Sequence, residues 1–178
     1  MEYNFGHIRV RRLGEDLRRL SFMVPMVTLL LVMAACGGFS KADLAFNEGV
    51  DASDHGLYTE AISHYDEAIQ LDPSYVGAYN NRGSAYSRLG QHQRAIEDLD
   101  KAIQLIPDYV WAYNNRGAAY YMLGQYHQAL SDYDKAIHLK PDYANAYEGR
   151  GMTYRKLGKY VETDADKAKA CSLDNSNC

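Results

Sequence analysis

Three cysteines, six histidines and 23 carboxylates supply the nucleophiles, metal ligands and proton carriers of this 178-residue chain. Their spacing does not converge on a reaction. His7, His55, His64, His92, His127 and His138 include no pair at the i, i+4 separation that puts two imidazoles on one helical face. No Gly-rich phosphate loop, Gly-x-Ser-x-Gly elbow or cysteine–histidine–asparagine set is present. Asp98, Asp100, Asp132 and Asp134 recur with a fixed period, which reads as a solvated helix face. The one covalent possibility near the C-terminus is a disulfide between Cys171 and Cys178, pinning the tail to the helix before it. A loop this short contributes about 2 kcal/mol in the chain-entropy picture, and only in an oxidising compartment. Two free thiols are the other reading. The expectation is therefore no enzyme, no metal site and no cofactor.

The third cysteine, Cys36, stands in a different context. Phe22 to Ala35 is apolar for 14 residues, short of the roughly 20 a bilayer span needs but within the range of a secretory signal core. Arg9, Arg11, Arg12, Arg18 and Arg19 precede it, giving residues 1–35 a net charge of +2 and the remainder −6. Met33-Ala34-Ala35-Cys36, followed by Gly37-Gly38, resembles a bacterial lipobox. The resemblance implies cleavage before Cys36, acylation of its thiol and, with Gly37 following, release to the outer membrane facing the periplasm. An ordinary cleaved signal and an uncleaved anchor are the alternatives. The expected layout is a signal over 1–35 and a tether over 36–41.

These groups must be carried by something, and the rest of the chain is a repeat. Pro73, Pro107 and Pro141 are spaced by 34, as are Gly56, Gly90, Gly124 and Gly158. Residues 76–109 and 110–143 are identical at 22 of 34 positions without a gap. Chance does not do that. Four units result: 42–75, 76–109, 110–143 and 144–177. Within each, apolar residues near a 3.6 period predict two helices. Gly90 breaks the first and Pro107 ends the second, lacking the amide hydrogen that a further turn would use. Asp108 is expected to cap the next helix. Small residues (Gly83, Gly117, Gly151, Ala95, Ala129, Ala102 and Ala136) allow close helix approach, while Tyr86, Tyr120, Tyr133 and Tyr154 fill the space between pairs.

Tyr79-x2-Arg82-Gly83-x2-Tyr86, Ala95-x3-Leu99 and Pro107 resemble the tetratricopeptide repeat pattern, with Tyr for Trp and Arg for Leu. The third unit repeats it as Tyr113-x2-Arg116-Gly117-x2-Tyr120, Ala129-x3-Tyr133 and Pro141. The resemblance implies an all-α, right-handed superhelical solenoid of antiparallel helix pairs with a concave groove. The outer units differ, as terminal repeats do. Thr163, Asp164 and Lys167 replace Ala129, Leu130 and Tyr133, so residues 160–173 read as a cap, or as a polar face that meets a partner.

By the same resemblance the groove is lined by Phe46 and Val50; Asn80, Ser84 and Arg88; Trp111, Asn114, Ala118 and Tyr121; and Asn145, Glu148, Met152 and Arg155. Trp111 is the sole tryptophan and stands where neighbouring repeats hold Gly77 and Asn145. It is either a binding hot spot or a cover for the inter-repeat joint. Asn80 and Asn114 form a ladder of amides able to donate to and accept from a peptide backbone. Places at which some relatives clamp a C-terminal carboxylate carry Phe46, Val50, Asn81, Trp111 and Asn115, which implies no such clamp.

Composition agrees with a folded interaction domain. At 47% hydrophobic, 24% charged and a mean hydropathy of −0.45, the chain is neither disordered nor multi-spanning. A net charge of −4 excludes a typical nucleic-acid binder. The function expected is a protein–protein scaffold or assembly factor at the bacterial envelope, binding a peptide or helix and no small-molecule substrate. A self-associating structural repeat, or an adaptor held by an uncleaved signal, are the rivals.

Overall fold

The structure, a computed structural model, describes residues 40–174. The expected signal and residues 36–39 of the tether, Cys36 among them, lie outside the described residues, as does Cys178; Lys41, the last tether residue, opens the first helix. Among the described residues there are eight helices and no strand. They are α1 Lys41–Asp54, α2 Tyr58–Leu71, α3 Val76–Arg88, α4 His92–Leu105, α5 Val110–Met122, α6 Tyr126–Leu139, α7 Ala144–Lys156 and α8 Tyr160–Leu173. Each odd-numbered helix packs on the even one after it, and each pair packs on the next. The result is an all-α solenoid of antiparallel helix pairs. No described helix is long and apolar enough to cross a membrane.

Each turn within a pair is set by a glycine. Gly56, Gly90, Gly124 and Gly158 have φ between 73° and 76°, a left-handed conformation that a Cβ disfavours. At Gly90 the amide donates to the Ser87 carbonyl (3.0 Å) and the Gln91 amide reaches back to Tyr86 (2.9 Å), a Schellman closure that satisfies the last carbonyls of α3. The same two bonds recur around the other three glycines. Between pairs a tighter turn forms, with the Tyr109 amide donating to Ile106 (3.1 Å). This turn makes Tyr109 the N-cap of α5, without a side-chain cap bond. Asp108 therefore does not cap the helix as expected: its side chain points to solvent, 3.9 Å from Lys135 Nζ.

Alanine dominates the core. Ala61, Ala68, Ala78, Ala95, Ala102, Ala112, Ala119, Ala129, Ala136 and Ala146 are fully buried, with Tyr65, Leu99 and Tyr133 as the large plugs. Close approach is essential here. A Cβ on Gly83 would sit 2.9 Å from Leu99 Cγ and 3.1 Å from the Ala95 carbonyl oxygen. Removing such a plug, as in Leu99→Ala, costs about 2–5 kcal/mol by the usual cavity rule.

Candidate functional site

The odd-numbered helices share one exposed face, and the expected groove residues divide sharply on it. Arg88, Trp111, Asn145, Glu148, Met152 and Arg155 are exposed; Val50, Ser84, Asn114, Ala118 and Tyr121 are partly so. Trp111 is 49% exposed, its ring tilted at 55° against Tyr109 with centroids 5.2 Å apart. Tyr121 meets Tyr126 at 5.7 Å.

Of the other two expected residues, Phe46 is partly buried in ring contacts and Asn80 is closed to a ligand. Phe46 is stacked on Tyr75 (5.0 Å, 29°) and tilted against Tyr65 (5.8 Å), closing the joint between the first two pairs. Room for that stack comes from Gly77, where a Cβ would meet both rings at 3.3–3.4 Å. Tyr75 in turn donates its hydroxyl to Asp43 (2.9 Å); burial and that carboxylate push its pKa up to about 12. Asn80 is only 6% exposed. Its Oδ1 accepts from Asn115 Nδ2 and its Nδ2 donates to Asn81 Oδ1, both at 3.0 Å.

The amide ladder therefore differs from the expected one. It runs Asn114, Asn115, Asn80, Asn81, with a longer first link of 3.4 Å. The Tyr65 hydroxyl lies near its Asn81 end and near Ser53, and burial raises the Tyr65 pKa against the effect of both. Asn80 is consumed inside the ladder. Asn114 Oδ1 is buried and has no hydrogen-bond partner among the described residues.

A second network was not expected at all. Arg116 donates Nε to Asp132 Oδ2 (2.8 Å) and Nη2 to Asp132 Oδ1 (2.7 Å), and its Nη1 reaches Asp100 of the preceding pair. Arg82 does the same with Asp98 and Asp66, and Arg150 with Asp166 and Asp134. Asp98, Asp132 and Asp166 are 5–7% exposed, which corrects the reading of Asp98 and Asp132 as solvated. Asp100 and Asp134 are half-exposed, so that part of the reading stands. Burial pushes the Asp98 and Asp132 carboxyls up, against the pull of the guanidiniums that bind them. Each arginine is held well above its ordinary value by its two carboxylates, despite the opposing effect of its burial.

These arginines are the residues that replace Leu in the repeat pattern. The tyrosines that replace Trp lie three residues earlier and pack on them: Tyr79, Tyr113 and Tyr147 have ring centroids 5.4–5.6 Å from Arg82, Arg116 and Arg150. Tyr113 and Tyr147 also donate to the carbonyls of Pro107 and Pro141 (3.1 Å), which an indole could not do in the same way. The two departures form one device. Its signal in the sequence was the constant separation of 16 between each Arg and both of its Asp partners.

Cys171 is disulfide-bonded, and its partner sulfur lies outside the described residues. His127 and His138 are exposed, and His92 is partly buried. Among the described residues no group of three or more His, Cys, Asp or Glu could hold a metal.

Known proteins share this architecture. The family model described as tetratricopeptide repeat matches residues 110–143, and that described as TPR repeat matches 54–90 and 87–124. Hsp70-Hsp90 organizing protein 3 of Arabidopsis thaliana is 52% identical over 33 residues, 18% of this chain and 6% of that protein. Among solved structures, the first TPR of Spaghetti (RPAP3) bound to the HSP90 peptide SRMEEVD is 31% identical with a TM-score of 0.64, covering 66% of this chain and 94% of that one. MamA is 25% identical with a TM-score of 0.68, covering 99% of this chain and 98% of its own.

Proposed function

Because this chain belongs to the tetratricopeptide repeat family, we propose that it is a binding scaffold whose odd-numbered helices hold a peptide or partner helix. No bond is made or broken; shape and hydrogen bonding do the work. The observation that carries this reading is Trp111, half-exposed on that face at a place where packing is content with Gly77 or Asn145. An aromatic so placed can bury its free side against one apolar side chain of a ligand. Asn114, three residues on, is partly exposed and lies beside it on the same helix.

The relatives bear on what is bound. One is solved with an HSP90 peptide. In this chain Phe46 is spent on Tyr75, and neither Val50 nor Trp111 carries charge. The ligand proposed here is therefore recognised by its backbone and an apolar side chain, with no clamp on a terminal carboxylate.

The proposal also sets the scaffold at the bacterial envelope, as an assembly factor acylated at Cys36 and facing the periplasm from the outer membrane. Its support is the sequence alone: five arginines, the apolar run 22–35 and the lipobox-like 33–36. Intact mass of the mature protein, beside a Cys36→Ser variant, tests that part separately.

Binding itself is tested through the only tryptophan. Titrating the full chain with a library of apolar-containing peptides should give hits that shift its emission to shorter wavelength. Trp111→Ala should weaken those hits at least about tenfold while changing the unfolding free energy by less than about 1.5 kcal/mol, the scale of one exposed aromatic contact. Hits that leave the emission unchanged and survive Trp111→Ala would end the reading.

A further inference from the structure

We infer that the two ends of the solenoid are a matched pair, and that the chain associates head to tail with further copies of itself. The tail shares Glu148, Met152 and Arg155 with the expected groove, whereas Trp111 belongs to the groove alone, so a Trp111 variant separates this inference from the binding proposal.

Three times within the chain, an odd-numbered helix docks into a seat made by the pair before it. Asn81 of α3 lies by the Tyr65 hydroxyl, Asn115 of α5 bonds Asn80, and Gly149 of α7 lies against Tyr133. The fourth seat, between α7 and α8, holds no helix of the described residues. It is a cleft of about 280 Å³ lined by Glu148, Gly151, Met152, Arg155, Thr163, Lys167 and Ala170. Shifted by one repeat, those residues fall on Asn114, Gly117, Ala118, Tyr121, Ala129, Tyr133 and Ala136, which are the seat of α7.

The internal seats are uncharged in all of these places, whereas the terminal one carries Arg155 and Lys167 against Glu148. The aromatic plug Tyr133 has become Lys167. A helix that fits must bring carboxylates where α3, α5 and α7 bring Ala and Asn. The outer side of α1 does so. It presents a concavity lined by Glu48, Asp51 and Glu60 with His55 and His64, and no Lys or Arg. In the repeat register Asp51 replaces Ala85 and Ala119, and Asn47 replaces Asn81 and Asn115. Continuing the internal geometry across two copies sets Asn47 against Lys167 and Glu148, as Asn81 meets Tyr65 and Asn115 meets Asn80. Both ends also expose large apolar side chains, among them Leu44 (54%) on the head and Met152 (40%) on the tail.

Such a joint is heterologous, so it propagates instead of closing as a dimer. The test is sedimentation of the full chain over a wide concentration range at low and high salt. The mass should rise beyond that of a dimer with concentration, and less so at high salt, because the joint is ionic at its rim. Lys167→Glu should weaken association at least about tenfold, as should Asp51→Lys, each by placing like charges across the joint. Mixing the two variants should restore it, since the reversed tail of one meets the reversed head of the other. Arg155→Glu is a second tail variant should Lys167→Glu fail to fold. A monomer at every concentration would overturn the inference. So would association that survives both reversals, or that is lost with Trp111→Ala alone, which would move the contact to the groove.

Discussion

Glu48 faces His64 across 3.4 Å in the first repeat, at the two places where each later repeat holds an arginine bonded to a buried aspartate. Acid and base have exchanged positions at the start of the array. At its other end Ala168 stands where Asp66, Asp100 and Asp134 offer a carboxylate to the next repeat. The arginine ladder is thus internal, with three rungs among the described residues and neither end left with an unmet guanidinium.

Restoring the ladder at the head should be possible only as a pair. Glu48→Arg alone sets a cation beside His64, and His64→Asp alone sets two acids together. The double variant should exceed the sum of the single effects by about 1 kcal/mol, the scale of a charge-assisted hydrogen bond pair that is partly solvated. A urea-unfolding double-mutant cycle measures this coupling directly. A coupling near zero would mean that Glu48 is too exposed to form the rung.

Within the array the cost should be larger. Arg116→Leu restores the family pattern but leaves Asp132, 5% exposed, without its partner. Breaking such a pair costs about 3–5 kcal/mol, while replacing both members is close to neutral. Arg116→Leu should therefore lower stability by about that amount, and adding Asp132→Leu should recover most of it. Asp100→Asn, at a half-exposed position, should cost no more than about 1 kcal/mol. Chemical unfolding of the three variants distinguishes a ladder from a decoration.

The period of 34 made the helices, their glycine turns and the close-packed alanines legible before any coordinates, because backbone sterics act locally and repeat with the chain. The groove was less so. Phe46 and Asn80 share one register position with Asn114 and Glu148, which are partly and fully exposed, yet Gly77 admits a ring stack beside Phe46 and Asn115 captures Asn80. Such outcomes depend on residues about 30 positions away. The aspartates show the same limit: Asp98 and Asp100 are two residues apart and recur together, but one faces its own pair and is buried while the other reaches the next pair from the surface.

His55 offers a pH test at the head. Its Nδ1 lies 2.8 Å from the Asp51 carbonyl oxygen and 3.6 Å from the Asp51 carboxylate, which raise its pKa above 6.5, the backbone contact contributing most. The sign follows from the raised folded value. The interaction is fully present below pH 6.5 and is lost as pH rises through the folded pKa. NMR titration of His55 should give a midpoint above the ordinary value, and Asp51→Asn should lower it only partway because the carbonyl remains. A midpoint unmoved by Asp51→Asn would leave the backbone contact as the sole cause.

The joint between the third and fourth repeats should be the least tolerant of added volume. A Cβ on Gly149 would collide with the Tyr133 ring, which is 3% exposed and touches Gly117 on its other side. The ring cannot retreat, since a Cβ on Gly117 would already lie 3.1 Å from it. Gly149→Ala should thus cost about 1–3 kcal/mol through overpacking. The preceding joint shows the compensation, with Leu99 in the place of Tyr133 and Asn115 in the place of Gly149. Transplanting that pair, as Tyr133→Leu with Gly149→Asn, should regain most of the loss. Thermal melts of these variants order the outcomes, and a Gly149→Ala variant as stable as the parent would show that α7 slides freely in its seat.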